Sequence, residues 1–146
     1  NDRVNALMNK GFDLKLAEQV LKNLTDVGIR TSVATIIGFP TEKEAEAEDT
    51  FEFLKRNKNN ISFFSTNVFS LNNNSRVYHN PENFCVKDIE ERKGYFYIRH
   101  LDYKLEQGIT RAKAEELVSK NKIGQNRVKK YFKKIKRLYK NILAKI

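Results

Sequence analysis

The run Gly38-Phe39-Pro40-Thr41-Glu42 has the residue types best suited to chemistry in this 146-residue chain. It follows an apolar stretch, Val33, Ala34, Ile36 and Ile37, that reads as a parallel strand covered on both faces. Gly38 offers a position without a Cβ, and Pro40 ends the strand because it has no N–H for the ladder. Thr41 stands three residues before Glu44, the spacing of a capping box, so a helix N-terminus is expected there. Strand end, tight turn and helix start form the place where α/β domains present backbone groups to a ligand. A plain strand-to-helix turn explains the same residues, and Glu42 fits a ligand role or simple stabilisation by a helix N-terminus. Elsewhere the chemistry is sparse. Cys85 is the single cysteine, His79 and His100 lack an obvious third ligand, and no metal site is expected. No nucleophile triad, phosphate loop or paired acid motif stands out, so no catalytic residue is assigned.

The elements that must position this turn follow from periodicity. A short helix over about 3–9 ends at Lys10-Gly11. Asp13 caps a second helix whose Ala17, Val20, Leu21 and Leu24 form one buried face, and Gly28 stops it. The strand at about 31–37 leads into a helix from Glu42 to Lys58, acidic at its start and basic at its end. Ile61 to Leu71 is a second strand, so the unit is a crossover joining two parallel strands. A long polar loop over 72–84 follows, and Ser75 to Pro81 could line a substrate channel or be plain surface. Residues 87–107 read as mostly helix, with 95–98 open to an extended alternative. Thr110 caps a short helix to about Lys120. A last helix from about Gln125 to Ile146 sets an apolar stripe (Val128, Phe132, Ile135, Leu138, Tyr139, Ile142, Ile146) against a lysine-rich side.

Several segments in order, MNKGFD, AEQVLKNLTDVGI, IIGFPTE, TFEFLKRN and FSLNNNSRVYHNPENF, resemble the second half of a radical S-adenosylmethionine enzyme. The likeness covers about residues 3–86 and is nearest to the group that carries a cobalamin-binding domain. It implies an α/β fold: residues 1–86 as the C-terminal part of a partial, TIM-like β/α barrel, and 87–146 as a helical, basic extension. Ile36, Gly38 and Glu42 then fall on the adenosine-side motif, and Phe69, Ser70 and Leu71 on the final strand end that meets the adenine. The family often has Gly where Thr41 stands. The cysteine triplet that holds the iron–sulfur cluster has no counterpart here, so S-adenosylmethionine and the cluster belong to a full-length protein, with cobalamin left open. The chain alone is then inactive, and its partner is the N-terminal half of the same polypeptide, with an unidentified substrate.

Charge sharpens the alternative. The net charge is +10, and residues 111–146 hold 13 of the 28 Lys and Arg but only 2 of the 18 acidic residues. A non-catalytic module that docks a partner, an anionic membrane surface or RNA through this tail is the competing reading. The interleaved aromatics of an RNA reader are missing from the basic side, which counts against nucleic acid. No apolar run suffices for a membrane span, and the lone thiol suits a cytoplasmic protein. A sheet of two strands leaves an open edge, so the isolated chain is expected to self-associate.

Overall fold

The computed structural model describes residues 1–91 and 101–121. The order is α1 (Asp2–Leu7), α2 (Leu14–Asp26), β1 (Ser32–Ile37), α3 (Glu44–Arg56), β2 (Phe63–Val68), α4 (Arg76–His79), a 3₁₀ turn (Pro81–Phe84), β3 (Val86–Glu91), β4 (Leu101–Leu105) and α5 (Arg111–Lys120). It is a mixed α/β structure with two small sheets: β1 and β2 are parallel, and β3 and β4 antiparallel. No closed barrel is formed by the described residues. The predicted final helix over 125–146 lies outside them.

In the parallel pair, Ser32 lies beside Phe63, Ala34 beside Ser65 and Ile36 beside Asn67. Side chains alternate faces along a strand, so these six share one face, and Val33, Thr35, Ile37, Phe64, Thr66 and Val68 share the other. The second face is the covered one. Val33 and Phe64 pack with Leu21 of α2 and with Phe53, Leu54 and Ile61. Ile37 and Val68 pack with Ala47 and Phe51 of α3 and with Ala114 and Leu117 of α5. On the opposite face Ser32, Ala34, Ser65 and Asn67 are exposed. β1 is therefore not covered on both faces as its apolar run predicts; Ser32 and Ala34 are small enough to leave in water at little cost.

Three further expectations are corrected. Helix α2 starts at Asp13, whose carboxylate accepts from the Leu16 N–H at 2.7 Å, and ends in Gly28 at φ +77°, as predicted. Its face is different: Leu21 is buried, whereas Val20 stays 46% exposed. The 72–84 loop is not structureless, because Ser75 caps α4 and Val77 and Phe84 are buried beneath it. The helix read over 87–107 is not found where the structure describes that range, since Val86–Glu91 and Leu101–Leu105 are paired strands, and the alternative at 95–98 lies outside the described residues. Leu101 and Tyr103 alternate with exposed Asp102 and Lys104, a period of two that outweighs the helix propensity of Lys, Glu and Leu. This hairpin joins the core beside the parallel sheet, with Val86 and Leu101 packed in one cluster with Val4, Phe39, Phe69 and Leu71.

Candidate functional site

The two parallel strands end side by side. The Phe69 N–H donates to the Ile37 carbonyl at 2.8 Å, which locks the end of β2 to the turn after β1. That turn is closed by the Glu42 N–H donating to the Phe39 carbonyl at 2.9 Å. Pro40 occupies its second position and Thr41, at φ +70°, its third. A positive φ at the third position is the mark of a type II turn and favours Gly, so a β-branched Thr is strained here. A residue in this conformation cannot be an N-cap, which needs extended backbone. Helix α3 therefore starts two residues later than its predicted capping box: Lys43 is the N-cap, and its N–H donates to the Glu46 carboxylate at 2.8 Å.

The turn is held from several directions. The guanidinium of Arg3 donates to the Thr41 carbonyl at 2.9 Å and pairs in bidentate fashion with Glu46. Arg3 accordingly holds the Glu46 carboxyl down at about 2. From the far end of the chain, the Ile109 N–H donates to the Glu42 carbonyl at 2.9 Å. Gly108 packs so closely that a Cβ there would lie 2.9 Å from the Thr41 nitrogen. At Gly38, φ is +80°, and a Cβ would lie 2.9 Å from Ala114 Cβ. The space that Gly38 leaves open is thus filled by α5 rather than by a ligand.

Glu42 is the unusual group. It is 1% exposed, its Oε2 accepts from the Gly38 N–H at 2.5 Å, and its Oε1 is buried without a partner among the described residues. Burial pushes its carboxyl up to about 7, against the lowering effect of the Gly38 and Phe39 N–H groups. The carboxyl folds back onto its own turn; it neither caps α3 nor reaches solvent. Glu42 and Ile36 also line a cavity of about 320 Å³ between α1, α2 and β1, with Val4, Met8, Ala17 and Val33 among its walls.

The six residues singled out by sequence therefore divide. Ile36 and Glu42 meet at this cavity, whereas Gly38, Phe69, Ser70 and Leu71 lie outside its walls. Phe69 is buried edge-on against Phe39 (centroids 5.2 Å apart) and Tyr103 (6.0 Å), and the Leu71 carbonyl bridges to the Leu101 N–H at 3.4 Å. Ser70 is half-buried between them. Sequence reading missed Ser32, Ser65 and Asn67, the polar residues of the uncovered sheet face; the signal was the polar phase of the period-two pattern in SFFSTNV. It also missed Gly108, whose role depends on a contact 67 residues away in sequence.

No group of three or more His, Cys, Asp and Glu side chains able to hold a metal occurs among the described residues. An iron–sulfur cluster of the cysteine-ligated kind does not fit this chain, which has one cysteine, Cys85, in a left-handed conformation after the 3₁₀ turn. None of the described helices is long and apolar enough to cross a membrane.

Among curated proteins, the threonylcarbamoyladenosine tRNA methylthiotransferase MtaB of Aquifex aeolicus (strain VF5) is similar to this chain, 36% identical over 58 residues. The match takes in 38% of the chain and 14% of the relative, so the chain spans a small part of that protein's length. No family model and no solved structure matches. The similarity supports a relationship to radical S-adenosylmethionine enzymes and gives no support to the cobalamin-associated group.

Proposed function

We propose that this chain is a C-terminal segment of a radical S-adenosylmethionine enzyme and supplies one wall of its adenosine and substrate pocket. The observation that carries the reading is the one-sided sheet. Helices cover the Val33/Ile37/Phe64 face, while the opposite face of two parallel strands exposes Ser32, Ala34, Ser65 and Asn67. Such one-sided covering suits the wall of a β/α barrel, with helices outside and the other sheet face turned to the interior. The similarity to the methylthiotransferase supports the same reading.

Under this reading residues 1–86 belong to the barrel, and an iron–sulfur cluster would be held by another part of the polypeptide. This chain's residues position and enclose. Ile36 gives the adenine an apolar contact, and the backbone at Phe69–Leu71 borders it, held by the Phe69-to-Ile37 hydrogen bond. Glu42 keeps the Gly38 N–H occupied and so fixes the turn beside that contact.

The test is binding of S-adenosylmethionine to the full-length polypeptide by equilibrium dialysis. Ile36→Asp should weaken it ~10-fold or more, equal to ~1.4 kcal/mol, while the distant Glu115→Gln leaves it unchanged. Equal binding by both variants overturns the assignment of Ile36. A second reading has a specific observation behind it: the relative's name specifies a tRNA, and the basic residues of this chain crowd into 111–146. Those residues would then contact a phosphate backbone, with affinity falling steeply as salt rises. Salt-independent or absent RNA binding by the chain removes that reading.

A further inference from the structure

The Phe69-to-Ile37 hydrogen bond joins β1 and β2 at their C-terminal ends, and beyond it the two chain segments part. One later segment, residues 101–114, reaches both. At the end of β2, the Leu101 N–H donates to the Leu71 carbonyl at 3.4 Å and the Tyr103 ring meets Phe69 edge-on at 6.0 Å. At the turn after β1, the Ile109 N–H donates to the Glu42 carbonyl at 2.9 Å, and Ala114 fills the space beside Gly38. The Lys113 ammonium pairs with Glu44, in the first turn of α3, at 2.7 Å. Gly38, Phe69 and Leu71 are three of the residues placed by sequence on the adenosine side, and each borders this one segment.

The segment also passes from one side of the sheet to the other. Leu101 and Tyr103 of β4 belong with the cluster against which Ile36, on the uncovered face, is packed. Ala114 and Leu117 of α5 pack with Ile37 and Val68, on the covered face. Between them Gly108 and Ile109 run over Thr41 and Glu42. Only glycine permits this passage, since Gly108 has φ +103° and a Cβ there would stand 2.9 Å from the Thr41 nitrogen. Glu42 is buried, so release of Ile109 would leave its carbonyl unpaired away from water, which is costly. Ligands of β/α barrels sit at this C-terminal end of the strands.

We propose that residues 101–114 are a clasp over the strand ends that sets the geometry of the adenosine contact, so that closure of the clasp and binding of S-adenosylmethionine are coupled. The proposal rests on the pocket assigned above and adds to it the part of the chain that follows residue 86. Tyr103 and Ile109 are positioning residues in it. Tyr103 acts through Phe69, whose backbone borders the adenine, and Ile109 acts through Glu42, whose carboxyl fixes Gly38. The cofactor favours the closed clasp because Ile36 and the Phe69–Leu71 backbone flank one space only while both strand ends are held. Coupling of this kind is reciprocal: the cofactor must hold the clasp closed by the same factor by which the clasp tightens the cofactor.

The test uses the full-length polypeptide and reads both directions. S-adenosylmethionine should slow hydrogen exchange of the Ile109 amide ~5-fold or more. The Val27 amide, bonded to Asn23 at the far end of α2, should not change. A segment that only supports the fold would leave Ile109 unchanged, and equal slowing of both amides would report overall stabilisation; either result overturns the proposal. In equilibrium dialysis, Tyr103→Ala should weaken S-adenosylmethionine binding ~5-fold or more. Tyr103→Phe, which keeps the ring and its edge against Phe69, should restore it. If Tyr103→Ala does not fold, exchange in the unsubstituted protein decides alone. Weaker binding by Ile36→Asp with none by Tyr103→Ala removes the clasp and leaves the pocket, whereas unchanged binding by both removes the two together.

Discussion

The two ends of β1's surroundings differ sharply. Its C-terminal turn, Gly38 to Glu42, is fastened from three remote parts of the chain: Arg3, Gly108-Ile109 and Ala114. Its outer edge, Ser32 to Ile36, is paired with no strand among the described residues and lies beside an exposed apolar helix flank. A protein holds rigid what must keep its shape by itself and leaves unfinished what another surface will complete. Here the rigid part borders the proposed adenosine contact, and the unfinished part is where the proposed barrel would continue into the rest of the polypeptide.

This contrast fixes where substitutions should hurt. The largest effect is expected at Gly108→Ala, where φ +103° and three backbone atoms of Thr41 and Glu42 within 3.1 Å leave no room for a methyl. A loss of about 3 kcal/mol or more in urea unfolding is expected; a loss below about 1 kcal/mol would show the turn to be loosely held. Next is Glu42. Its folded pKa of about 7 lies above the ordinary 4.5. The folded state therefore holds a proton that the unfolded chain has released between those values. Stability from this group is full below pH 4.5 and falls as pH rises to 7, by roughly 3 kcal/mol at most. Glu42→Gln should flatten that slope, and an unchanged pH profile would mean the carboxyl is already ionised in the fold. Glu46 acts in the opposite direction: its carboxyl is held at about 2, so its contribution is present above pH 4.5 and disappears as pH falls toward 2. Arg3→Ala should erase this acid-limb loss in a pH series of melts.

Smaller effects test the same contrast from the other side. Thr41→Gly should stabilise the chain by ~0.5–1 kcal/mol, because relief of the left-handed strain outweighs the extra freedom of the unfolded glycine. Val20→Glu on the open, 46% exposed flank should change the stability of the chain by no more than ~0.5 kcal/mol. A large loss there would mean the flank is already covered in the folded chain.

Much of this was legible in the residues. Asp13, Gly28, Thr110 and the two parallel strands announce themselves through local chemistry: a cap, a left-handed stop, and runs of β-branched and aromatic residues. The start of α3 was misplaced because Thr41 and Glu44 carry the spacing of a capping box, while the type II turn that overrides it depends on Pro40 and a long-range grip by Arg3. The β3–β4 hairpin was read as helix because Lys, Glu and Leu suit a helix and the alternation of Leu101 to Leu105 is short. Glu42's back-bonding to Gly38 could not be read from spacing, since a carboxyl four residues on reaches a ligand, a cap or its own turn equally well. Which face of β1 is open was hidden by Ala34, apolar in composition yet exposed.

The proposed identity rests on chemistry that this chain does not itself contain, and one measurement addresses it directly. The full-length polypeptide is reconstituted anaerobically with iron and sulfide, and its iron content and visible absorbance are recorded with and without S-adenosylmethionine. The account predicts bound iron and a spectrum that responds to the cofactor. A colourless protein, or one whose spectrum ignores S-adenosylmethionine, would contradict it.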